Sequence, residues 1–178
     1  MLILVGASAS GKTEIARRLI KYYGFHKFVT HTTRPPRKGE VNHFDYHFVS
    51  LEEFNRLEAS SFFIETVHYN GYKYGTSYNE IGPKKVLIVE PNGANEFHKK
   101  SPSSVTIILI QTPKEIRKER MLKRKDQIGD IEKRLENDDE LFAINQLDRI
   151  DYIVENNHIS LPELTKKVYA YYTNKGDS

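Results

Sequence analysis

The chain has 178 residues, 38% of them hydrophobic and 29% charged, with a net charge of +3 and no cysteine. That length suits one compact domain, or a core with small inserted lobes; no apolar run approaches the roughly 20 residues of a membrane span, and a chain without cysteine has neither a disulfide framework nor a thiolate metal site. The N-terminus runs directly into strand-like residues without a basic lead, so a soluble, cytoplasmic protein is expected, and the modest positive charge suits an anionic small molecule without calling for nucleic acid.

Residues 1–5 form an unbroken apolar run, which predicts a strand buried on both faces. Residues 13–23 place Ile15, Ala16, Leu19, Ile20 and Tyr23 at helical spacing, and Gly24 ends the helix. Residues 25–29 predict a second short strand. From 30 to about 78 the texture changes to polar, aromatic and turn-rich. Strands are expected there at 46–49 and 62–67, and Ser50-Leu-Glu-Glu53 has the form of a capping box opening a short helix through Leu57. Alternation then resumes: strand 86–89, helix 92–99, strand 105–110. Thr112-Pro113 predicts a helix with threonine as N-cap and proline at the first helical position, running to about 124. A break at 125–129, a helix at 130–147, a strand at 152–154 and a helix at 160–171 with Pro162 in its first turn complete the chain. The tail after Thr173 reads as frayed. Strands alternating with helices imply an α/β fold of three layers, its mostly parallel five-stranded sheet covered on both faces and interrupted by an inserted α+β lobe.

Between the first strand and first helix lies Gly6-Ala7-Ser8-Ala9-Ser10-Gly11-Lys12-Thr13, the spacing Gly-x-x-x-x-Gly-Lys-Thr. The glycines permit backbone angles and close approach that side chains would block. Successive amides cradle phosphate oxygens at a helix N-terminus whose dipole favours anions. Lys12 is placed to reach the β- and γ-phosphates of ATP and the Thr13 hydroxyl to ligate Mg²⁺. The motif by itself does not choose among kinases, GTPases and other NTPases. An acid downstream commonly accompanies it, and Glu90, ending the strand at 86–89, is the candidate; an exposed strand-end glutamate is the plainer reading.

The acceptor side is carried by the inserted segment. Thr30-His-Thr-Thr-Arg34-Pro-Pro-Arg37 sets two guanidiniums across a stiff turn, suited to clamping a phosphate. Gly39-Glu-Val-Asn-His-Phe-Asp45-Tyr46-His-Phe48 follows, then Phe62-Phe-Ile-Glu65 and Tyr72-Lys-Tyr74-Gly75-Thr76. In order and approximate spacing these segments resemble the nucleoside-monophosphate lobe of guanylate kinases, P-loop nucleoside monophosphate kinases, and the likeness extends over nearly the whole chain. The resemblance implies that Arg34, Arg37, Tyr46 and Tyr74 hold the phosphate of GMP, that Glu65 accepts from guanine N1 and N2, and that Thr76, Thr30 and Glu90 lie near the base. A carboxylate paired to two donors rejects adenine, which has no such pair. Phe48, Phe62 and Phe63 read as lobe core.

Arg117, Arg120, Lys123, Arg124 and Lys125 precede the break, and Lys133-Arg134 follows it. A solvated basic helix face is the usual meaning of such a run; closure of a helical lid over ATP is the functional one. By resemblance to the Arg-Leu-x-x-Arg-Gly and Arg-Leu motifs, Arg124 and Arg134 contact the transferring phosphates, Arg120 lies on the ATP side, and Asn156 is near the adenine. Lys12, Arg34, Arg124 and Arg134 are thus the expected catalytic residues. The implied division is a core of 1–29, 79–124 and 148–178, a lobe of 30–78 and a lid of about 125–147. The expected partners are ATP and GMP, with neither nucleic acid nor membrane, in a monomer or homodimer. Three positions depart from the family pattern. Ile88 replaces the first acid of the strand that ends at Glu90, His43-Phe44 displaces a glycine before Asp45-Tyr46, and Lys125 stands where the lid has glycine. A ribose 1,5-bisphosphate phosphokinase and a non-catalytic guanylate-kinase-like binding domain are the alternatives.

Overall fold

A computed structural model describes residues 1–69 and 71–174. Its main sheet has five strands, all parallel, in the order β2-β7-β1-β8-β9. These are β1 (Leu2–Val5), β2 (His26–Lys27), β7 (Lys85–Ile88), β8 (Thr106–Gln111) and β9 (Tyr152–Glu155). β1 lies at the centre, and each of its four residues is fully buried. Its alternate side chains serve two cores. Ile3 and Val5 face Phe28, Leu87, Phe97, Ile107 and Leu109, on the side covered by α3 (Pro91–Lys100). Leu2 and Leu4 face Ile15, Leu19, Phe25, Ile108, Val154 and Val168, on the side of α1 (Lys12–Tyr23) and α6 (Leu161–Asn174). A strand with both faces buried has no polar position, which is why β1 reads as a continuous apolar run. Each such side chain contributes about 1.5–3 kcal/mol of burial.

Between β2 and β7 the chain builds a second sheet, in the order β4-β3-β6-β5. It consists of β3 (His31–Thr32), β4 (His47–Phe48), β5 (Phe63–Tyr69) and β6 (Tyr72–Ser77). Only β3 and β4 pair in parallel; β3–β6 and β5–β6 are antiparallel. Helix α2 (Leu51–Ala59) covers it, with Ser50 Oγ accepting from the Glu53 amide at 3.1 Å, as the capping box predicts. β3 and β6 lay hidden in the sequence, because their residues read as ligand motifs and not as alternating apolar runs. Phe63 is buried and stacks on Phe54, whereas Phe48 and Phe62 are only half-buried.

The remaining elements are α4 (Lys114–Lys123) and α5 (Ile128–Leu141). Two local expectations are corrected. Thr112 does not cap α4; Pro113 is the N-cap, and the Thr112 hydroxyl donates to the Ser10 carbonyl at 3.1 Å, tying β8 to the loop after β1. α5 stops at Leu141 and does not run to 147. The chain leaves the helix axis there to deliver Leu147 into the main core. Ile20 is 40% exposed, at the edge of the buried stripe of Ile15, Ala16 and Leu19. The expectation of a frayed tail past Thr173 falls, beyond Asn174, outside the described residues. Among the described residues no helix is long and apolar enough to cross a membrane.

Candidate active site

The loop of residues 6–13 leaves the C-terminal end of the central strand, where ligands of open parallel sheets bind. Gly6 has φ 151°, and a Cβ there would stand 2.5 Å from the Ile110 carbonyl oxygen. Gly11 has φ 102°, and its Cβ would meet Asn156 Nδ2 at 2.9 Å. Each glycine of the motif is therefore required by a neighbour as well as by its own backbone angle.

Lys12 opens α1 and turns back over the loop. Its ammonium donates to the carbonyls of Gly6 at 2.5 Å and Ala7 at 2.8 Å, and to Ser10 Oγ at 3.3 Å. Burial lowers its pKa from 10.5 to about 8, a shift that the nearby Asp138 carboxylate opposes. Thr13 is exposed in the first turn of α1. Asn156 Nδ2 donates to the Ser10 carbonyl at 2.8 Å, and Arg120 donates both to the Ala9 carbonyl at 3.1 Å and to Asn156 Oδ1 at 3.3 Å. Thus β9, α4 and the loop converge on one cavity of about 470 Å³, bordered also by Lys123 and Arg124.

In the second sheet a β-bulge at Ile64 sets the geometry. The β5–β6 register shifts between Phe63 and Glu65, so that Phe63 pairs with Ser77 and Glu65 with Thr76. Ile64 turns into the main core, fully buried, and Glu65 and Thr76 become cross-strand neighbours. Thr76 Oγ1 donates to Glu65 Oε1 at 3.0 Å. Burial raises the Glu65 pKa above its ordinary value, partly offset by that hydrogen bond. Gly93, on α3, gives the carboxylate room: a Cβ there would lie 2.8 Å from Glu65 Oε2. Glu90, exposed at the N-cap of α3, acts electrostatically on both Lys12 and Glu65; Lys12 lines the cavity of about 470 Å³ and Glu65 a separate one of about 590 Å³.

Arg34 is buried, and its Nη2 donates to both carboxylate oxygens of Glu40, at 2.7 and 2.9 Å, with the guanidinium over the rings of Tyr46 and Phe48. Arg37 is exposed, and its backbone amide donates to the same Glu40. The Tyr46 and Tyr74 rings meet edge-on at 6.1 Å, and the Thr30 carbonyl accepts from the His47 amide. Arg124 and Arg134 share Asp126, at 2.7 and 3.2 Å, with both side chains about half exposed. Arg117, from the same basic run, is instead buried and paired with Asp138 and Asp139. The cations expected from the sequence to hold phosphate are thus held by the protein's own oxygens: Lys12 by loop carbonyls, Arg34 by Glu40, and Arg124 and Arg134 by Asp126. Sequence reasoning missed the acids Glu40, Asp126 and Asp138 as partners; Glu40, six residues from Arg34, and Asp126, two residues from Arg124, left local signals, and Asp138 left none. Two of the three family departures fall on left-handed backbone, His43 at φ 65° and Lys125 at φ 63°, where glycine is unstrained. The third, Ile88, is 37% exposed at the end of β7.

The family model described as guanylate kinase matches residues 1–171. A guanylate kinase of Neisseria gonorrhoeae is 38% identical over 117 residues, covering 62% of this chain and 57% of that protein; the chain therefore aligns to little more than half of that relative's length. A guanylate kinase of Thermus thermophilus is 31% identical over 163 residues, 88% of this chain and 73% of its own. The crystal structure of guanylate kinase from Anaplasma phagocytophilum superposes with a TM-score of 0.69 at 25% identity, over 98% of this chain and 85% of that one.

Proposed function

The chain belongs to the guanylate kinase family, and from that premise we propose that it transfers the γ-phosphoryl group of Mg·ATP to GMP (or dGMP), giving GDP (dGDP) and ADP. The observation that carries the choice of acceptor is the Glu65–Thr76 pair, a desolvated carboxylate already tied to a hydroxyl, with Glu90 acting on it and on Lys12 alike. Glu65 has one oxygen on Thr76 and leaves the other for paired N–H donors, which guanine presents and adenine lacks. Arg34, Arg37, Tyr46 and Tyr74 hold the GMP phosphate, with Thr30 and Glu90 near the base. The division of labour is a core of 1–29, 79–124 and 148–178, an acceptor lobe of 30–78 and a lid of about 125–147.

The chemistry asks for no dedicated base, because the attacking phosphate oxygen is already ionised at neutral pH. That oxygen attacks the γ-phosphorus in line while the bond to the β-phosphate oxygen breaks. Catalysis comes from position and charge. The loop amides cradle the phosphates of ATP, with Arg120 and Asn156 on the adenosine side. Lys12 exchanges the Gly6 and Ala7 carbonyls for phosphate oxygens, Arg34 exchanges Glu40 for the acceptor phosphate, and Arg124 and Arg134 exchange Asp126 for the transferring group. Thr13 and Glu90 offer hard oxygen donors of the kind that suit Mg²⁺ with most of its waters retained. When bound, the cation supplies charge neutralisation at the phosphates. A cytoplasmic setting in purine nucleotide metabolism, as a monomer or homodimer and without nucleic-acid or membrane partners, belongs to the same proposal.

The test is ADP formation from Mg·ATP with GMP, dGMP, AMP, UMP and ribose 1,5-bisphosphate as separate acceptors. Turnover selective for the guanylates is expected. Equal turnover with AMP would remove the role given to Glu65, and turnover with ribose 1,5-bisphosphate alone would replace the proposed activity.

A further inference from the structure

Asp138 has no part in the phosphate-loop motif, yet its carboxylate lies in the loop. It projects from α5, is 7% exposed, and Oδ2 accepts from the Ser8 amide at 2.5 Å. The same oxygen is 3.7 Å from Arg117 Nη1, a buried guanidinium nitrogen with no hydrogen-bond partner. Its charge also reaches the ammonium of Lys12. A backbone N–H of the loop, a lysine and an arginine are the surroundings that such a loop offers to a phosphate. Here a carboxylate of the protein has taken that place.

We propose that Asp138 is a built-in stand-in for a nucleotide phosphate, a gate that ATP displaces, so that arrival of ATP at the loop is coupled to movement of α5. This rests on the reading of the loop as the ATP site. Two anionic groups cannot share one amide donor, and a short side chain buried beside Arg117 has little room to swing aside, so its departure is coupled to a shift of α5. α5 also bears Arg134, whose guanidinium is paired with Asp126 at the base of the same lid. Displacing Asp138 therefore moves the element that delivers a phosphate-seeking arginine. In the free protein the gate fills the cradle, keeps Arg117 charge-paired and holds the loop in shape.

Two variants separate charge from fold. Asp138→Asn keeps an oxygen that accepts from Ser8 but carries no charge; Asp138→Ala removes both. Calorimetric titration with ATP should give a Kd lowered about ten- to hundredfold, the span of a charge-assisted hydrogen bond, while the Kd for GMP stays as in the unaltered chain. The Ser8 amide proton should resonate downfield in the free protein and move upfield in Asp138→Asn. An ATP Kd unchanged or raised in Asp138→Asn overturns the gate and leaves the ATP site standing. Failure of the unaltered chain and both variants to bind ATP overturns the gate together with the ATP site.

Discussion

ATP binding should draw a proton from solution, and Lys12 is the reason. Burial holds its pKa at about 8 against an ordinary 10.5, a difference of about 3 kcal/mol against the charged form at 1.36 kcal/mol per unit. The sign follows from the direction. A lysine with a depressed folded-state pKa destabilises the fold below that pKa, and the cost is relieved as pH rises from about 8 towards 10.5. Phosphate oxygens reverse the shift by favouring the ammonium. If bound Lys12 regains its ordinary value, binding takes up about 0.5 proton at pH 8 and about 0.9 at pH 9, and almost none near pH 6.5. Calorimetry at pH 8 and pH 9 in two buffers of different ionisation enthalpy reads these numbers directly. Lys12→Met should abolish the uptake. Uptake that is absent in the unaltered chain, or that persists in Lys12→Met, would refute the placement of this ammonium against the phosphates.

Glu65→Gln should lower kcat/KM for GMP about 10²–10³-fold by weakening two hydrogen bonds to a charged acceptor, and should narrow the preference for GMP over AMP; steady-state kinetics with both acceptors checks it. Because burial raises the Glu65 pKa and guanine needs the ionised form, GMP affinity should fall as pH drops through that raised value, at a higher pH than an exposed glutamate would show, and Glu65→Gln should remove this dependence. Gly93→Ala would normally favour a helix by about 1 kcal/mol, but its methyl meets Glu65 Oε2 at 2.8 Å; KM for GMP should rise about tenfold or more while KM for ATP is unchanged, and an unaltered GMP KM would contradict the close approach. Lys125→Gly relieves a left-handed backbone worth about 1–2 kcal/mol, which thermal melting should register as a rise of a few degrees, about 2–4 °C per kcal/mol at this chain length.

Much of the molecule was legible along the chain because its signals are local. A strand buried on both faces has to be apolar throughout, so residues 1–5 announced β1. The loop's spacing encodes its own backbone path, and Gly6, Gly11, Lys12 and Thr13 stand where that path needs them. Ser50 and Glu53 are close enough to bond each other, so the cap of α2 was readable from four residues. The short strands β3 and β6 were not readable, because their side chains are chosen for the cleft and not for alternation.

Partners distant in sequence had no such signature. Asp138 meets Ser8 across 130 positions, and nothing in either segment announces the other. Asp126 lies two residues from Arg124, but it meets Arg134 only because α4 and α5 fold back on one another. The Glu65–Thr76 pair depends on one inserted residue. In an unbroken ladder Ile64 would oppose Thr76, but core packing claims the Ile64 side chain, the register slips, and Glu65 moves opposite the threonine. The residues therefore carried the chemistry of the cleft in their types and spacing. Which distant acid meets the loop and its cations was decided by the packing of helices, and which hydroxyl meets Glu65 by the slip of one strand, since both depend on distances in space that no local pattern encodes.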